Sequence, residues 1–108
     1  MKALVCLVTT PPDQALAIAE ALVARELAAC VNIVAQVSSV YRWQGAVEHD
    51  KEALLVIKTT RAALPALDAA LGELHPYDTF ELVALDVAGG SSDYLTWIGD
   101  SVTAPPAG

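Results

Sequence analysis

The stretch that decides the fold is Ser38-Ser39-Val40-Tyr41-Arg42-Trp43-Gln44-Gly45. It lies between two long segments that each predict a β-strand, Cys30 to Val40 and Ala46 to Thr59. A glycine between two such segments predicts the turn of a β-hairpin. Tyr41 and Trp43 would then lie at the tip, where a loop normally faces water. Two interpretations remain open: the rings pack back on their own sheet, or the hairpin is an arm that docks on another surface.

The segments before the hairpin predict a strand and a helix. Ala3 to Thr9 is a compact apolar run of strand length. The sequence Thr10-Pro11-Pro12-Asp13 predicts a helix start with Thr10 as the N-cap, because proline is tolerated where no amide donor is needed. Apolar residues at helical spacing then carry this helix to about Glu26 or Leu27.

The segments after the hairpin complete an α+β pattern. A leucine stripe from Leu64 to Leu74 predicts a second helix, which His75-Pro76 ends because a residue before proline disfavours helical geometry. Glu81 to Val87 predicts a fourth strand, and Ser91 or Ser92 is expected to cap a third helix. The order is β-α-β-β-α-β with an extra C-terminal helix, so we expect a ferredoxin-like sandwich with a long hairpin between its second and third strands.

Both faces of the predicted sheet are apolar. Right-handed crossovers place the two main helices on one face, so the other face should be polar if it met water. The first strand nevertheless carries apolar residues on both of its faces, with Leu4, Cys6 and Val8 on one side and Ala3, Val5 and Leu7 on the other. We therefore expect a second subunit to cover the face that the helices leave open.

Length, charge and cysteine content limit the class of protein. The 108 residues suit one domain, which we assign to residues 1–102, with residues 103–108 as a frayed tail. A net charge of −7 argues against nucleic acid and anionic membranes as partners, and no run approaches the roughly 20 apolar residues of a spanning helix. Cys6 and Cys30 fall on strands that are not neighbours in this fold, so we expect two free thiols and a reducing, cytoplasmic location.

Six motifs in register resemble those of the CutA divalent-cation tolerance proteins, from Ala3 to about Ser101. They are Val8-Thr9-Thr10-Pro11-Pro12-Asp13, Leu27-Ala28-Ala29-Cys30-Val31-Asn32-Ile33, Tyr41-Arg42-Trp43-x-Gly45, Ile57-Lys58-Thr59, Leu74-His75-Pro76-Tyr77 and Tyr94-Leu95-x-Trp97-Ile98. The resemblance implies a non-enzymatic homotrimer whose hairpins reach neighbouring subunits. It also implies a role in tolerance of copper and other divalent cations, and a likeness to the PII signalling trimers.

The chain departs from the pattern of this family at several positions. Ala35-Gln36 stands where the family often has Pro-Gly, so the second strand is expected to continue without a break. Phe80 replaces a usual proline, which predicts an altered entry into the fourth strand. Thr9 and Leu74 occupy places where some members carry metal ligands, and only His75 remains there.

The metal candidates are His75 with the carboxylate of Glu81. A tight site needs three or four converging ligands, and a histidine at a helix C-terminus is also favoured by the helix dipole alone. A purely structural role for His75 therefore remains an alternative.

The acidic residues Glu48, Asp50 and Glu52 are either hard-cation ligands or a solvated strand face, and Cys30 is either a copper ligand or core packing. No cofactor is required by these motifs, and copper is the divalent metal that the resemblance implies.

A second candidate site is a cleft between subunits, which the family resemblance places near six residues: Tyr41, Trp43, Lys58, His75, Tyr77 and Glu81. A basic residue, a carboxylate and aromatic walls would suit a small anionic or zwitterionic ligand. Interface packing is the alternative. No nucleophile elbow or phosphate-binding loop is present in the sequence, so we expect no enzymatic activity. The second functional hypothesis is a PII-like ligand-sensing or scaffolding trimer with no direct metal role.

Overall fold

The computed structural model describes residues 2–103 as a four-stranded antiparallel sheet with three helices. The strands are β1 (Ala3–Thr10), β2 (Cys30–Trp43), β3 (Ala46–Thr60) and β4 (Val83–Asp86), in the sheet order β2-β3-β1-β4. The helices are α1 (Ala15–Ala24), α2 (Leu64–Leu74) and α3 (Ser92–Ser101). The predicted ferredoxin-like α+β fold with its long hairpin and extra helix is confirmed. Within the described residues, no helix has both the length and the apolar character needed to cross a membrane.

The core lies between one face of the sheet and helices α1 and α2. Alternate residues of β1 and β3 point into it, because side chains along a strand alternate between the two faces. The core side chains of the sheet are Leu4, Cys6, Val8, Leu55 and Ile57, and those of the two helices include Ile18, Leu22, Leu67 and Leu71. All of these are at most 3 % exposed. Each large side chain buried in this way contributes roughly 1.5–3 kcal/mol of hydrophobic free energy.

The opposite face of the sheet, here called the open face, is also apolar. It carries Val34 of β2, Val5 and Leu7 of β1, Leu54 and Val56 of β3, and Val83 and Leu85 of β4. Val83 and Leu85 are each 47 % exposed. Helix α3 covers only one end of this face, where Ile98 packs with Ala3, Ala29 and Ala63. Much apolar surface is therefore left uncovered in a single chain, as the sequence predicts.

Several element boundaries differ from the sequence prediction; α1, for example, ends at Ala24 rather than at Glu26 or Leu27. Thr10 does not cap α1; it ends β1, and its hydroxyl donates to the Pro11 carbonyl over 3.0 Å. A short 3-10 turn (Pro12–Gln14) precedes α1, which begins at Ala15. Strand β4 begins at Val83, two residues later than predicted. The predicted cap of α3 is confirmed at Ser91, whose hydroxyl accepts a 3.5 Å hydrogen bond from the Tyr94 amide.

The C-terminal end of the described chain is tied to the domain. The Thr103 amide donates to the Glu26 carbonyl over 2.9 Å. The Thr103 hydroxyl also contacts the Glu26 carboxylate at 3.1 Å. Thr103 therefore belongs to the folded domain rather than to a frayed tail, and the remaining positions of the predicted tail, 104–108, lie outside the described residues.

The hairpin between β2 and β3 ends in a two-residue turn of Gln44 and Gly45. Their φ angles are 50° and 82°, which is the left-handed geometry that matches the twist of the flanking strands. The predicted hairpin turn at Gly45 is therefore confirmed. All residues from Val40 to Lys51 are exposed, so the hairpin projects from the body of the domain as an arm.

The pairing of β2 with β3 contains one extra residue in β2. Val34 pairs with Leu54 and Val37 with Glu52, so β2 takes three residue steps where β3 takes two. The expectation that β2 continues without a break through Ala35-Gln36 is confirmed, because β2 is one strand from Cys30 to Trp43, and the extra residue forms a β-bulge within it. Side chains along a strand alternate between the two faces of the sheet. The bulge therefore places the odd-numbered residues of the outer half of β2 on the open face.

We expect the two cysteines to differ in reactivity. Cys6 is fully buried on β1, and burial raises the pKa of its thiol, whereas Cys30 is half-buried on β2, and β3 separates the two strands. Ellman's reagent should titrate two thiols per chain in denaturant, but in folded Cys30→Ser it should find the remaining Cys6 unreactive. Finding no free thiol in denatured, non-reduced protein would contradict this placement of the strands.

Candidate functional site

A cavity of about 630 Å³ lies where the hairpin leaves the body of the domain. Its walls come from the outer parts of β2 and β3, from the end of β1 and from the segment that follows α2. Three aromatic side chains line it: Tyr41, Trp43 and Tyr77. Four carboxylates also line it: Asp50, Glu52, Asp78 and Glu81. Among the residues that the structure describes, its lining includes no lysine, arginine or histidine. The cavity is therefore aromatic and strongly acidic.

The β-bulge in β2 explains why aromatic and acidic side chains share this cavity. Beyond the bulge, Ser39 pairs with Asp50 and Tyr41 pairs with Glu48, so these residues lie on the same face of the hairpin. Before the bulge, the odd-numbered residues Val31 and Ile33 pair with Ile57 and Leu55 on the helix side. If the same residues of β2 paired with β3 in a regular ladder without the bulge, Tyr41 and Trp43 would point to the face away from Asp50.

Tyr41 and Asp50 form the polar centre of the hairpin wall. The phenol of Tyr41 donates a hydrogen bond to the Asp50 carboxylate. This bond and the neighbouring charges of Asp50, Glu48 and Glu52 raise the pKa of Tyr41 to about 12. Ionisation would place a phenolate beside carboxylates, so the phenol stays protonated and remains a donor at neutral pH.

Glu52 is the buried carboxylate of the cavity. Its side chain lies on the outer part of β3 just past the end of β1, and the residue is only 6 % exposed. Burial, the charges of Glu52 and Asp50, and a hydrogen bond to Glu52 together raise the pKa of the nearby Tyr77 phenol. No salt bridge between Glu52 and a basic side chain occurs within residues 2–103. The hydrogen bond from Tyr77 offsets part of the cost of burying this carboxylate without a cation.

His75 is buried behind the cavity and serves as a structural link. It follows α2 and is 6 % exposed. Its Nε2 lies 2.8 Å from the Thr9 carbonyl, to which it donates, and its Nδ1 accepts from the Tyr77 amide at 3.1 Å. The ring stacks on Phe80 with centroids 5.2 Å apart. Phe80 thus packs on His75, and the chain does not enter β4 until Val83.

The predicted metal pair does not form a ligand set in one chain. Both nitrogens of His75 are engaged by backbone groups, so binding a metal there would require breaking one of these hydrogen bonds. Glu81 lines the cavity, whereas His75 does not. Across residues 2–103, no three His, Cys, Asp or Glu side chains converge in a way that could hold a metal ion. The residues of a single chain therefore do not fit a tight divalent-metal site.

The structure brings together four of the six residues predicted for the cleft. Tyr41, Trp43, Tyr77 and Glu81 line one cavity. Lys58 lies on the open face and donates to the Asn32 side chain, away from this cavity. The expectation of an anionic or zwitterionic ligand depends on Lys58, and the cavity lining formed by residues 2–103 of one chain lacks that positive charge.

Sequence reasoning did not assign three of the carboxylates to this site. The sequence pattern groups Asp50 and Glu52 with Glu48 on one strand face, and no motif singles out Asp78. The available signal was the run of acids at every second position, Glu48, Asp50 and Glu52, opposite the aromatic residues of the preceding strand. Its register depends on the bulge, which the sequence does not reveal.

Comparisons with known proteins agree on one family. Residues 4–101 match the model described as CutA1 divalent ion tolerance protein. The divalent-cation tolerance protein CutA of Thermus thermophilus is 50 % identical over 95 residues, which cover 87 % of this chain and 92 % of that protein. The crystal structure of CutA1 from Oryza sativa superposes with a TM-score of 0.94 at 39 % identity, covering 97 % of each chain. A PII-like protein CutA from Nostoc, solved in apo form, gives a TM-score of 0.88 at 30 % identity over 97 % of this chain and 100 % of that one.

The Tyr41–Asp50 pair gives a prediction for tyrosine ionisation. At pH 11 the Tyr41 phenol should still be protonated in the wild type, because its pKa is about 12. In Asp50→Asn the pKa should fall toward the ordinary tyrosine value of about 10, so the phenol should be mostly ionised at pH 11. The ¹³Cζ chemical shift of Tyr41 reports this directly, and Tyr94 on α3 is the internal control. Equal midpoints for Tyr41 in the two proteins would show that Asp50 does not control this phenol.

Proposed function

The chain belongs to the CutA1 divalent ion tolerance family, and from this premise we propose that it is a non-enzymatic homotrimer that acts in divalent-cation tolerance in the cytoplasm. The family match over residues 4–101 carries the functional part of the proposal. The uncovered apolar open face supports the assembly. Copper is the cation we propose first, on the resemblance described above.

The assembly proposal starts from the area of apolar surface that one chain leaves in water. Val34, Val83 and Leu85 on the open face are between 44 % and 47 % exposed, and Trp43 on the arm is 49 % exposed. Contiguous apolar surface of this kind marks a protein interface. A subunit that covers the open face and receives the arm of its neighbour would bury both regions, which makes folding and assembly interdependent.

The proposed role in cation tolerance does not use a metal site built from the side chains of a single chain. His75 is fully hydrogen-bonded, and no three ligating side chains converge among residues 2–103. A divalent cation that binds directly must therefore keep water ligands or take donors from more than one subunit. Glu81, which is exposed at the cavity, is the available donor of the predicted pair.

A second function is supported by the cavity itself. The PII-like ligand-sensing or scaffolding hypothesis needs a pocket for a small molecule, and the cavity has a volume in the usual range for such pockets. The Nostoc relative described as PII-like has the same fold with a TM-score of 0.88. In this alternative the protein has no direct metal role.

The assembly proposal can be tested on the open face. Leu85→Asp should dissociate or unfold the protein, because it places a charge in the buried interface. Leu16→Asp is the matched control, since Leu16 is 62 % exposed on α1, on the opposite side of the sheet. Light scattering should give three times the 11.3 kDa chain mass for the wild type and for Leu16→Asp. A folded wild-type monomer at micromolar concentration would refute the trimer.

Calorimetric titration of Cu²⁺ tests the metal hypothesis. Wild type and His75→Ala should give the same isotherm, because both nitrogens of His75 are already engaged. His75→Ala should lower the melting temperature, since it removes the link between Thr9 and Tyr77. Glu81→Gln should weaken any Cu²⁺ binding that uses the cavity. A high-affinity component that is present in the wild type and absent from a still trimeric His75→Ala would restore His75 as a ligand.

A further inference from the structure

The two faces of the arm carry charges of opposite sign. Residues that pair across the strands of the hairpin share a face, so the register beyond the bulge sorts the side chains into two sets. The acidic face carries Tyr41, Trp43, Glu48 and Asp50, and the basic face carries Val40, Arg42, Val47, His49 and Lys51. Each set therefore combines charges of one sign with aromatic or apolar side chains.

The basic face has neither a charge partner nor a cover within the described part of one chain. Arg42 and Lys51 form no salt bridge within residues 2–103. Val40 and Val47 are 64 % and 61 % exposed, whereas apolar side chains on the same side of the sheet nearer the body pack under helices α1 and α2. A surface that covers this face must offer both apolar area and negative charge.

The acidic face of a second copy has this chemistry. The rings of Tyr41 and Trp43 are 39 % and 49 % exposed and offer apolar area that valine side chains can cover. An arginine can lie over an aromatic ring and donate to a carboxylate at the same time, which suits Arg42 above Trp43 and beside Glu48. Because both faces belong to one hairpin, every copy carries both halves of the contact.

The placement of the two faces on opposite sides of the arm decides the symmetry of the contact. A two-fold axis would place the same face of both arms together, so carboxylates would meet carboxylates or cations would meet cations. A head-to-tail contact instead lays the basic face of one arm on the acidic face of the next. Head-to-tail contacts close into a ring when the rotation between copies allows it. The charge pattern therefore favours a cyclic assembly over a two-fold dimer.

We propose that the arms of neighbouring copies dock head to tail, so that the basic face of each arm covers the acidic face of the next. Tyr41, Trp43 and Asp50 of the acidic face also line the cavity, so the docked arm closes it. Arg42 of the docked arm then supplies the positive charge that the cavity lining of one chain lacks. This contact rests on the homotrimer proposed above and names the surfaces that join its subunits.

Reversing one charge on each face tests the contact. Arg42→Glu and Glu48→Lys each place like charges between neighbouring arms, so each should raise the concentration at which the trimer half-dissociates at least fivefold at low ionic strength. The loss should shrink in high salt, which screens exposed charges. The double variant, Arg42→Glu with Glu48→Lys, restores opposite charges and should assemble within twofold of the wild type.

Net charge separates this contact from general repulsion between subunits. Glu48→Lys brings the net charge of −7 closer to zero, so general repulsion alone would make this variant assemble more tightly than the wild type. Glu20→Lys makes the same charge change on the exposed surface of α1 and is the matched control, which should not weaken the trimer. Single variants that assemble as tightly as the wild type, or a double variant that stays dissociated, would overturn the contact and leave the trimer standing. A wild-type monomer would overturn the trimer itself.

Crosslinking separates the head-to-tail contact from a two-fold one. In the Cys30→Ser background, whose remaining Cys6 is buried, chains with Arg42→Cys are refolded alone and together with chains carrying Glu48→Cys. A short bismaleimide should join the two kinds of chain in the mixture and should leave each kind uncrosslinked when it is alone. Crosslinks within either kind alone would show that equal faces meet and would overturn the proposal, as would a mixture that yields no crosslinks.

Discussion

The antiparallel ladder between β1 and β3 is the constraint on which the rest of the structure depends. It pairs eight residues, from Ala3 with Thr60 to Thr10 with Ala53, at the centre of the sheet. Because side chains alternate, this ladder sends Leu4, Cys6 and Val8 to the helices and their apolar neighbours to the open face. Helices α1 and α2 can cover only one of these faces. The fold of one chain therefore leaves an apolar sheet face that its own helices do not cover.

The cavity follows from the way the hairpin leaves this central ladder. Strand β1 ends at Thr10, and β3 continues outward past it, paired only with β2. Glu52 lies at the position where the third strand loses its inner neighbour, and the segment after α2 brings Tyr77 and Asp78 against it. His75 holds that segment to the backbone of Thr9. His75, which the sequence predicts as a metal ligand, therefore positions one wall of an acidic cavity.

Most of the architecture could be predicted from the sequence, because it depends on patterns that local chemistry controls. Gly45 predicts the hairpin turn, Pro76 predicts the end of α2, and the double-sided apolar run of β1 predicts the open face. The details that could not be predicted depend on tertiary geometry. Ala35 and Gln36 are compatible with a regular strand, so nothing in their chemistry indicates a bulge. The partners of His75 are backbone atoms of Thr9 and Tyr77, and the identity of those residues does not encode the contacts.

The single extra residue in β2 also limits how the arm can change in length during evolution. Side chains along a strand alternate between the two faces of the sheet. An insertion or deletion between Val37 and the turn therefore leaves Tyr41 and Trp43 on the face of Asp50 only if it contains an even number of residues. Loss of either Ala35 or Gln36 alone would remove the bulge but leave Val37 opposite Glu52, so both rings would stay on the face of Asp50. Arms of different lengths in related chains should therefore differ by pairs of residues beyond Val37, whereas a single-residue change is tolerated at the bulge.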